Sequence, residues 1–118
     1  MSALTSPKTY AGLAAFHAVD AVACAVQVAP IKEVLDRVGV PDSVRPVIPV
    51  VKVAAAVGLV SVTRFPALAR LTTGLLTLYF LLAVSAHIRV RDTALNTLPA
   101  VSFLALFGAM TAKGPKKA

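Results

Sequence analysis

The chain has 118 residues, of which 58% are hydrophobic and only 14% charged, and its mean hydropathy is +0.81. A water-soluble domain normally carries about 25% charged residues, so the composition argues against a soluble protein and favours a membrane protein. The net charge of +7 comes from basic residues spread between apolar runs, without the basic and aromatic surface that binds nucleic acid. The single cysteine, Cys24, excludes an intrachain disulfide and a zinc site made of cysteines.

Four apolar windows are long enough to cross the roughly 30 Å hydrocarbon core of a bilayer as helices. They cover about residues 9–29, 46–63, 68–88 and 93–112. Strands are disfavoured because the windows lack period-two alternation and an open sheet would leave backbone groups unpaired in lipid. The sequence therefore predicts an all-α membrane protein, a four-transmembrane-helix bundle that forms one domain over residues 1–118.

The first window carries a polar stripe. His17, Asp20, Cys24 and Gln27 are spaced by three, four and three residues, which places them on one face of a helix. Ionisable groups within the membrane are costly, so this face is expected to turn toward other helices. Asp20 also interrupts the apolar run that a secretory signal peptide needs, and the first helix is therefore expected to stay in the mature protein.

The connector after the first window has helical periodicity over residues 31–38. Its apolar positions fall at i, i+3, i+4 and i+7 and are Ile31, Val34, Leu35 and Val38. Charged residues occupy the other side, and Gly39 suits the end of a helix. The pattern predicts a short amphipathic helix in the membrane interface between helices 1 and 2, and a solvated loop is the alternative.

Four ionisable residues define a candidate site. Counted from the same membrane boundary, Asp20 lies about 13 Å deep and Lys52 about 9 Å deep, because a helix rises about 1.5 Å per residue. The two are expected to form an ion pair, with His87 and Arg89 capping the cluster toward the interface. They make up the candidate ligand or proton site, while no catalytic residue and no metal ligand is assigned. The alternatives are a purely structural ion pair and an Arg89 that reaches for lipid phosphates.

Two further features concern packing and orientation. Ala54 and Gly58 form a small-xxx-small pair that lets helices approach closely. The lysines at the C-terminal end, Lys113, Lys116 and Lys117, favour cytoplasmic termini, although basic residues are nearly balanced between the two sides.

With these features in place, the chain resembles the DoxX-like family of small four-helix membrane proteins over about residues 8–110. The third window and its exit, LYFLLAVSAHIRVRD, carry an apolar run with an Ala-x-x-Ala-His-x-Arg ending. The second window adds a lysine six residues before a glycine, Lys52 and Gly58, and the amphipathic connector also fits.

The resemblance implies a membrane role tied to other proteins. The family takes its name from a small subunit of a thiosulfate:quinone oxidoreductase, and other members resemble partners of oxidative-stress enzymes or assembly factors. The first hypothesis is an accessory subunit of a larger inner-membrane complex, without catalysis of its own and in contact with lipid and other membrane subunits. The alternative is a quinone- or lipid-binding subunit of an oxidoreductase, in which Asp20, Lys52, His87 and Arg89 hold the polar end of the ligand.

The third hypothesis is a channel or transporter. Homo-oligomerisation is a further possibility that the sequence leaves undecided. The chain offers too few spans to line a pathway by itself, and no inverted repeat is visible. The rich use of alanine, valine and arginine indicates a bacterium with a high-GC genome. The expected location is therefore the bacterial inner membrane, which the chain would cross several times.

Overall fold

The computed structural model describes residues 3–115, and the regular structure within that range is entirely helical. The five α-helices are α1 (Pro7–Val26), α2 (Ala29–Val38), α3 (Val47–Val60), α4 (Pro66–Arg89) and α5 (Ala94–Lys113). Short 3-10 turns cover Ala3–Thr5 and Ser61–Thr63. The predicted all-α fold is confirmed, and α2 shows that the periodic connector is a helix and not a loop. Lys116 and Lys117, used for the predicted orientation, lie outside the described residues.

Side chains and prolines explain where the helices begin. Ser6 caps α1 by accepting a hydrogen bond from the amide of Lys8, and Pro7 occupies the first position, where a missing N–H costs nothing. Thr93 caps α5 in the same way, since its hydroxyl accepts from the amide of Asn96 at 3.2 Å.

The prediction of four transmembrane helices is not confirmed. Within the described part of the chain, three helices are long and apolar enough to cross a membrane: α1, α4 and α5, with mean hydropathies of 1.4, 1.7 and 1.5. The second predicted span is a shorter apolar helix, Val47–Thr63 when the 3-10 turn is included. Pro46 sets its start, and the turn at Ser61–Thr63 tightens its end.

The helices pack as two antiparallel pairs, α1 with α3 and α4 with α5, and the pairs meet where α3 contacts α4. Tyr10, Leu59, Phe80, Phe107 and Met110 are among the buried side chains at the centre. The outside remains apolar, with exposed valines along α1 and exposed leucines along α4. An exterior of this kind is suited to lipid, so the spanning helices contact the bilayer directly.

Candidate functional site

A cavity of about 540 Å³ lies in the half of the bundle away from the chain termini. The second half of α1, the last turns of α4 and the first turns of α5 surround it, and α3 supplies Ile48 and Lys52. The apolar face of α2 covers it with Val34, Leu35 and Val38. The apolar side of α2 therefore forms part of the cavity wall. The position of α2 in the membrane interface stays a prediction.

The lining is mostly apolar, with a few polar side chains in two groups. One group consists of Asp20, Lys52 and Tyr79, and the other of His87 and Asn96. Apolar walls with a small number of convergent polar groups are the usual construction of a small-molecule site.

The predicted ion pair between Asp20 and Lys52 is present. Lys52 Nζ lies 3.0 Å from Asp20 Oδ2, and Lys52 is only 5% exposed. Its ammonium group also lies over the ring of Tyr79, 4.8 Å from the centroid, and over that of Phe80, at 5.2 Å. Carboxylate and ring faces together compensate the lost hydration of this cation. Whether the pair binds a ligand or a proton stays a prediction.

His87 lines the same cavity but makes a contact that the sequence reasoning missed. Its Nδ1 lies 2.8 Å from Oδ2 of Asp92, whose side chain is only 2% exposed. Asp92 also accepts hydrogen bonds from the amide of Thr93 at 2.8 Å and from Asn96 Nδ2 at 3.0 Å. Arg37 of α2 lies 3.6 Å from the same carboxylate. Asp92 is thus a shared anchor for α2, α4 and α5.

Arg89 does not lie where it was predicted. It does not line the cavity, and its Nη2 donates a hydrogen bond to the carbonyl of Val38 at 3.3 Å. The C-terminal end of a helix leaves such carbonyls without partners inside the helix. Arg89 therefore fastens α2 to α4 and does not cap the pair of Asp20 and Lys52.

The predicted polar stripe on α1 is only partly continuous. His17 is fully buried among phenylalanine rings, and neither of its ring nitrogens has a hydrogen-bond partner within residues 3–115. Cys24 is buried with Sγ 4.0 Å from Asp20 Oδ1. Gln27 departs from the prediction, because it adopts a left-handed conformation with φ 47° and ends α1. The stripe therefore stops at Cys24.

The contacts of Asp92 predict that the stability of the protein depends on pH. The hydrogen bond from Asn96, together with those from His87 and the Thr93 amide and the charge of Arg37, lowers the pKa of Asp92 from 3.8 to about 2, although burial acts in the opposite direction. A carboxyl group whose pKa is lowered in the folded protein stabilises the fold at every pH above its ordinary pKa. That stabilisation is lost as the pH falls through the pKa of the folded protein. Asp92→Asn is therefore expected to be less stable than wild type at neutral pH, with a difference that narrows between about pH 4 and about pH 2.

Thermal unfolding in a non-ionic detergent, followed by circular dichroism, measures this difference. Asp42→Asn is the matched control, since the side chain of Asp42 is 99% exposed and its 3.6 Å ion pair with Arg45 is of the exposed kind that contributes little to stability. The control is expected to follow wild type at every pH. A difference between Asp92→Asn and wild type that stays constant down to about pH 2 would contradict the assigned role of the carboxylate.

The architecture defines a class of protein. An all-helical chain with three apolar spans, a shorter apolar helix and an apolar exterior is a multi-pass membrane protein. Comparison with known proteins gives its family: the chain belongs to the DoxX-like family, whose family model matches residues 9–110. The matched range contains the four candidate site residues as well as Asp92. No curated protein and no solved structure matches the sequence.

Proposed function

We propose that the protein is an integral membrane subunit that binds a quinone or a similar lipid-like ring compound in the cavity between its helices. The observation that carries the proposal is the ion pair between the buried Lys52 and the partly exposed Asp20 in the wall of a mostly apolar cavity. Lys52 supplies a cationic donor for a ring oxygen, and the aromatic rings beside it supply a flat apolar surface.

The size and surroundings of the cavity support a ligand of this class. A volume of about 540 Å³ lies within the range of roughly 300–1,000 Å³ that small-molecule sites occupy. Exposed leucines and valines surround the bundle, so a compound dissolved in the bilayer reaches the protein without passing through water. An apolar tail then stays in lipid while the polar ring enters the cavity.

We also propose that the chain belongs to a larger assembly in the bacterial inner membrane and that both of its termini lie on the cytoplasmic side. The full reduction of a quinone to a hydroquinone takes two electrons and two protons, and Cys24 is the one cysteine of the sequence, so this chain offers no dithiol as the electron donor. We therefore propose that the electron donor lies on another subunit of the assembly. The simpler role, an accessory subunit without a ligand, is an outcome that the experiment below can identify.

The test blocks the cavity without removing its polar groups. Ala83 on α4 lines the cavity, and Ala83→Phe is expected to weaken the binding of decylubiquinone at least about tenfold by filling the space. Ala105→Phe on α5 is the matched control, because Ala105 is exposed and does not line the cavity. Binding is measured by calorimetry in lipid nanodiscs, with empty nanodiscs as the blank.

Equal affinity of wild type and Ala83→Phe would contradict the proposed site. If wild type binds no quinone but is purified in mild detergent with other membrane subunits, the role is that of an accessory subunit alone.

A further inference from the structure

His87 is fixed through one ring nitrogen and presents the other. Its Nδ1 lies 2.8 Å from Oδ2 of Asp92. An ionised carboxylate only accepts hydrogen bonds, so Nδ1 carries the hydrogen in this contact. The described residues offer no hydrogen-bond partner to Nε2, and His87 forms part of the cavity lining. A ligand in the cavity can therefore reach His87 through Nε2.

The protonation state of His87 then decides which ligand atom can bind. In the neutral ring, with hydrogen on Nδ1, the lone pair of Nε2 accepts a hydrogen bond from a hydroxyl and has nothing to donate to a carbonyl. In the charged ring both nitrogens carry hydrogen, so Nε2 donates to a carbonyl and no longer accepts. Histidine side chains ordinarily make this change between about pH 5 and about pH 8.

The charged side chains near His87 lie on several elements. Asp92 in the connector contacts the ring, and Arg37 on α2 lies 3.6 Å from that carboxylate. Asp20 on α1 and Lys52 on α3 line the same cavity, while Arg89 on α4 and Arg91 in the connector are the next basic residues along the chain. Asn96 on α5 adds a neutral amide that donates to Asp92. Lys52 and Asp20 pair with each other at 3.0 Å, and Arg89 donates to the α2 backbone. Asp92 is thus the charge in direct contact with the ring, with Arg37 behind it.

We propose that His87, held by Asp92, selects between the hydroxyl and carbonyl forms of a ring compound in the cavity, and that its preference reverses when the ring gains a proton. The neutral ring favours a hydroquinone and the charged ring favours a quinone. This inference rests on the proposed function, since a ring compound must enter the cavity. Asp92 is a positioning residue, because it contacts His87 and acts on the ligand only through it.

The test compares one compound in two forms. Dissociation constants of 2-decyl-1,4-benzoquinone and its hydroquinone are measured anaerobically by calorimetry in nanodiscs, with empty nanodiscs as the blank. Between about pH 5.5 and about pH 8.5, the ratio of the quinone constant to the hydroquinone constant is expected to rise at least about tenfold for wild type.

Three variants locate the effect. His87→Gln keeps a donor and an acceptor but does not titrate in this range, so its ratio is expected to stay constant with pH. Asp92→Asn keeps an acceptor oxygen but removes the charge in direct contact with the ring, so its pH profile is expected to differ from that of wild type. Asp42→Asn removes an equally negative but exposed group and is expected to match wild type.

The result that overturns the inference is a wild-type ratio that does not change with pH, or one that changes equally in His87→Gln. Failure of the proposed function gives a different result, because neither form would then bind at any pH. If His87→Gln does not fold, labelling wild type with ¹⁵N-histidine provides a second measurement, since the sequence contains only His17 and His87. A His87 signal without hydrogen on Nδ1 at about pH 8 would also overturn the inference.

Discussion

Lys52→Met is expected to lower the free energy of unfolding by about 1–3 kcal/mol, which is less than the cost of breaking a fully buried ion pair because the Asp20 side chain is 26% exposed. The substitution keeps a long, flexible side chain, so the packing beside Tyr79 and Phe80 is largely retained. It leaves the Asp20 carboxylate without the cation that lies 3.0 Å away in wild type. Because Asp20 lines a mostly apolar cavity and its side chain is 26% exposed, water compensates this loss only in part.

The double variant Asp20→Asn with Lys52→Met separates the charge from the packing. It removes both charges, and a pair replaced as a whole usually costs far less than a broken pair, so most of the lost stability is expected to return. Unfolding by denaturant in mixed detergent micelles gives the free energies.

Lys32→Met is the matched control. Lys32 lies 3.3 Å from Asp36, but its side chain is 60% exposed, so an effect below about 1 kcal/mol is expected. A double variant as unstable as Lys52→Met would show that the charges are not the cause.

The ion pair was predictable because helix geometry fixes depth. Each residue advances a helix by about 1.5 Å, so the sequence positions of Asp20 and Lys52 gave comparable depths once the helices were taken as antiparallel. The cost of an isolated charge in lipid supplied the reason for pairing. The approximate positions of the helices were also predictable, because long apolar runs are local signals, but the first predicted window extended to residue 29 whereas α1 ends at Val26.

Two errors in the prediction of the site come from turns that have no clear signal in the sequence. Gln27 and Arg91 are the two residues of the described chain, other than glycines, with positive φ, at 47° and 54°. Local sequence predicts such conformations mainly at glycine and asparagine, so neither turn was expected. The turn at Gln27 ends the polar stripe, and the turn at Arg91 precedes Asp92, whose carboxylate contacts His87. The sequence signal that could have indicated this second turn was Asp92 followed by Thr93, the residue that caps α5.

The cavity depended on contacts between distant segments and could not be read from periodicity. The apolar face of α2 was identified correctly, but whether Val34 and Leu35 contact lipid or cover a cavity depends on how α2 docks. That docking uses Arg37 with Asp92 and the hydrogen bond from Arg89 to Val38. Contacts of this kind link residues far apart in sequence, and a single sequence does not reveal them.

Gly58→Ala is expected to destabilise the protein by about 1–3 kcal/mol, the usual cost of adding a methyl group to a tightly packed contact. Gly58 lies where α3 meets α4, and a Cβ at this position would overlap the side chain of Thr72. Thr72 cannot easily turn away, since it is β-branched and its hydroxyl donates a hydrogen bond to the carbonyl of Leu68 at 2.8 Å. The helices must therefore separate, as expected for a small-residue contact in a membrane protein.

Gly12→Ala on α1 is the matched control, because a Cβ there meets no atom of the described residues within 4 Å. It is expected to leave stability unchanged or raise it by up to about 1 kcal/mol, since alanine favours the helix over glycine. Adding Thr72→Ala to Gly58→Ala removes the hydroxyl group, which overlaps most with the added Cβ, together with the methyl group, so the two changes should be less harmful together than their sum. Strict additivity of the two effects would mean that the cost of Gly58→Ala arises elsewhere than at the contact between α3 and α4.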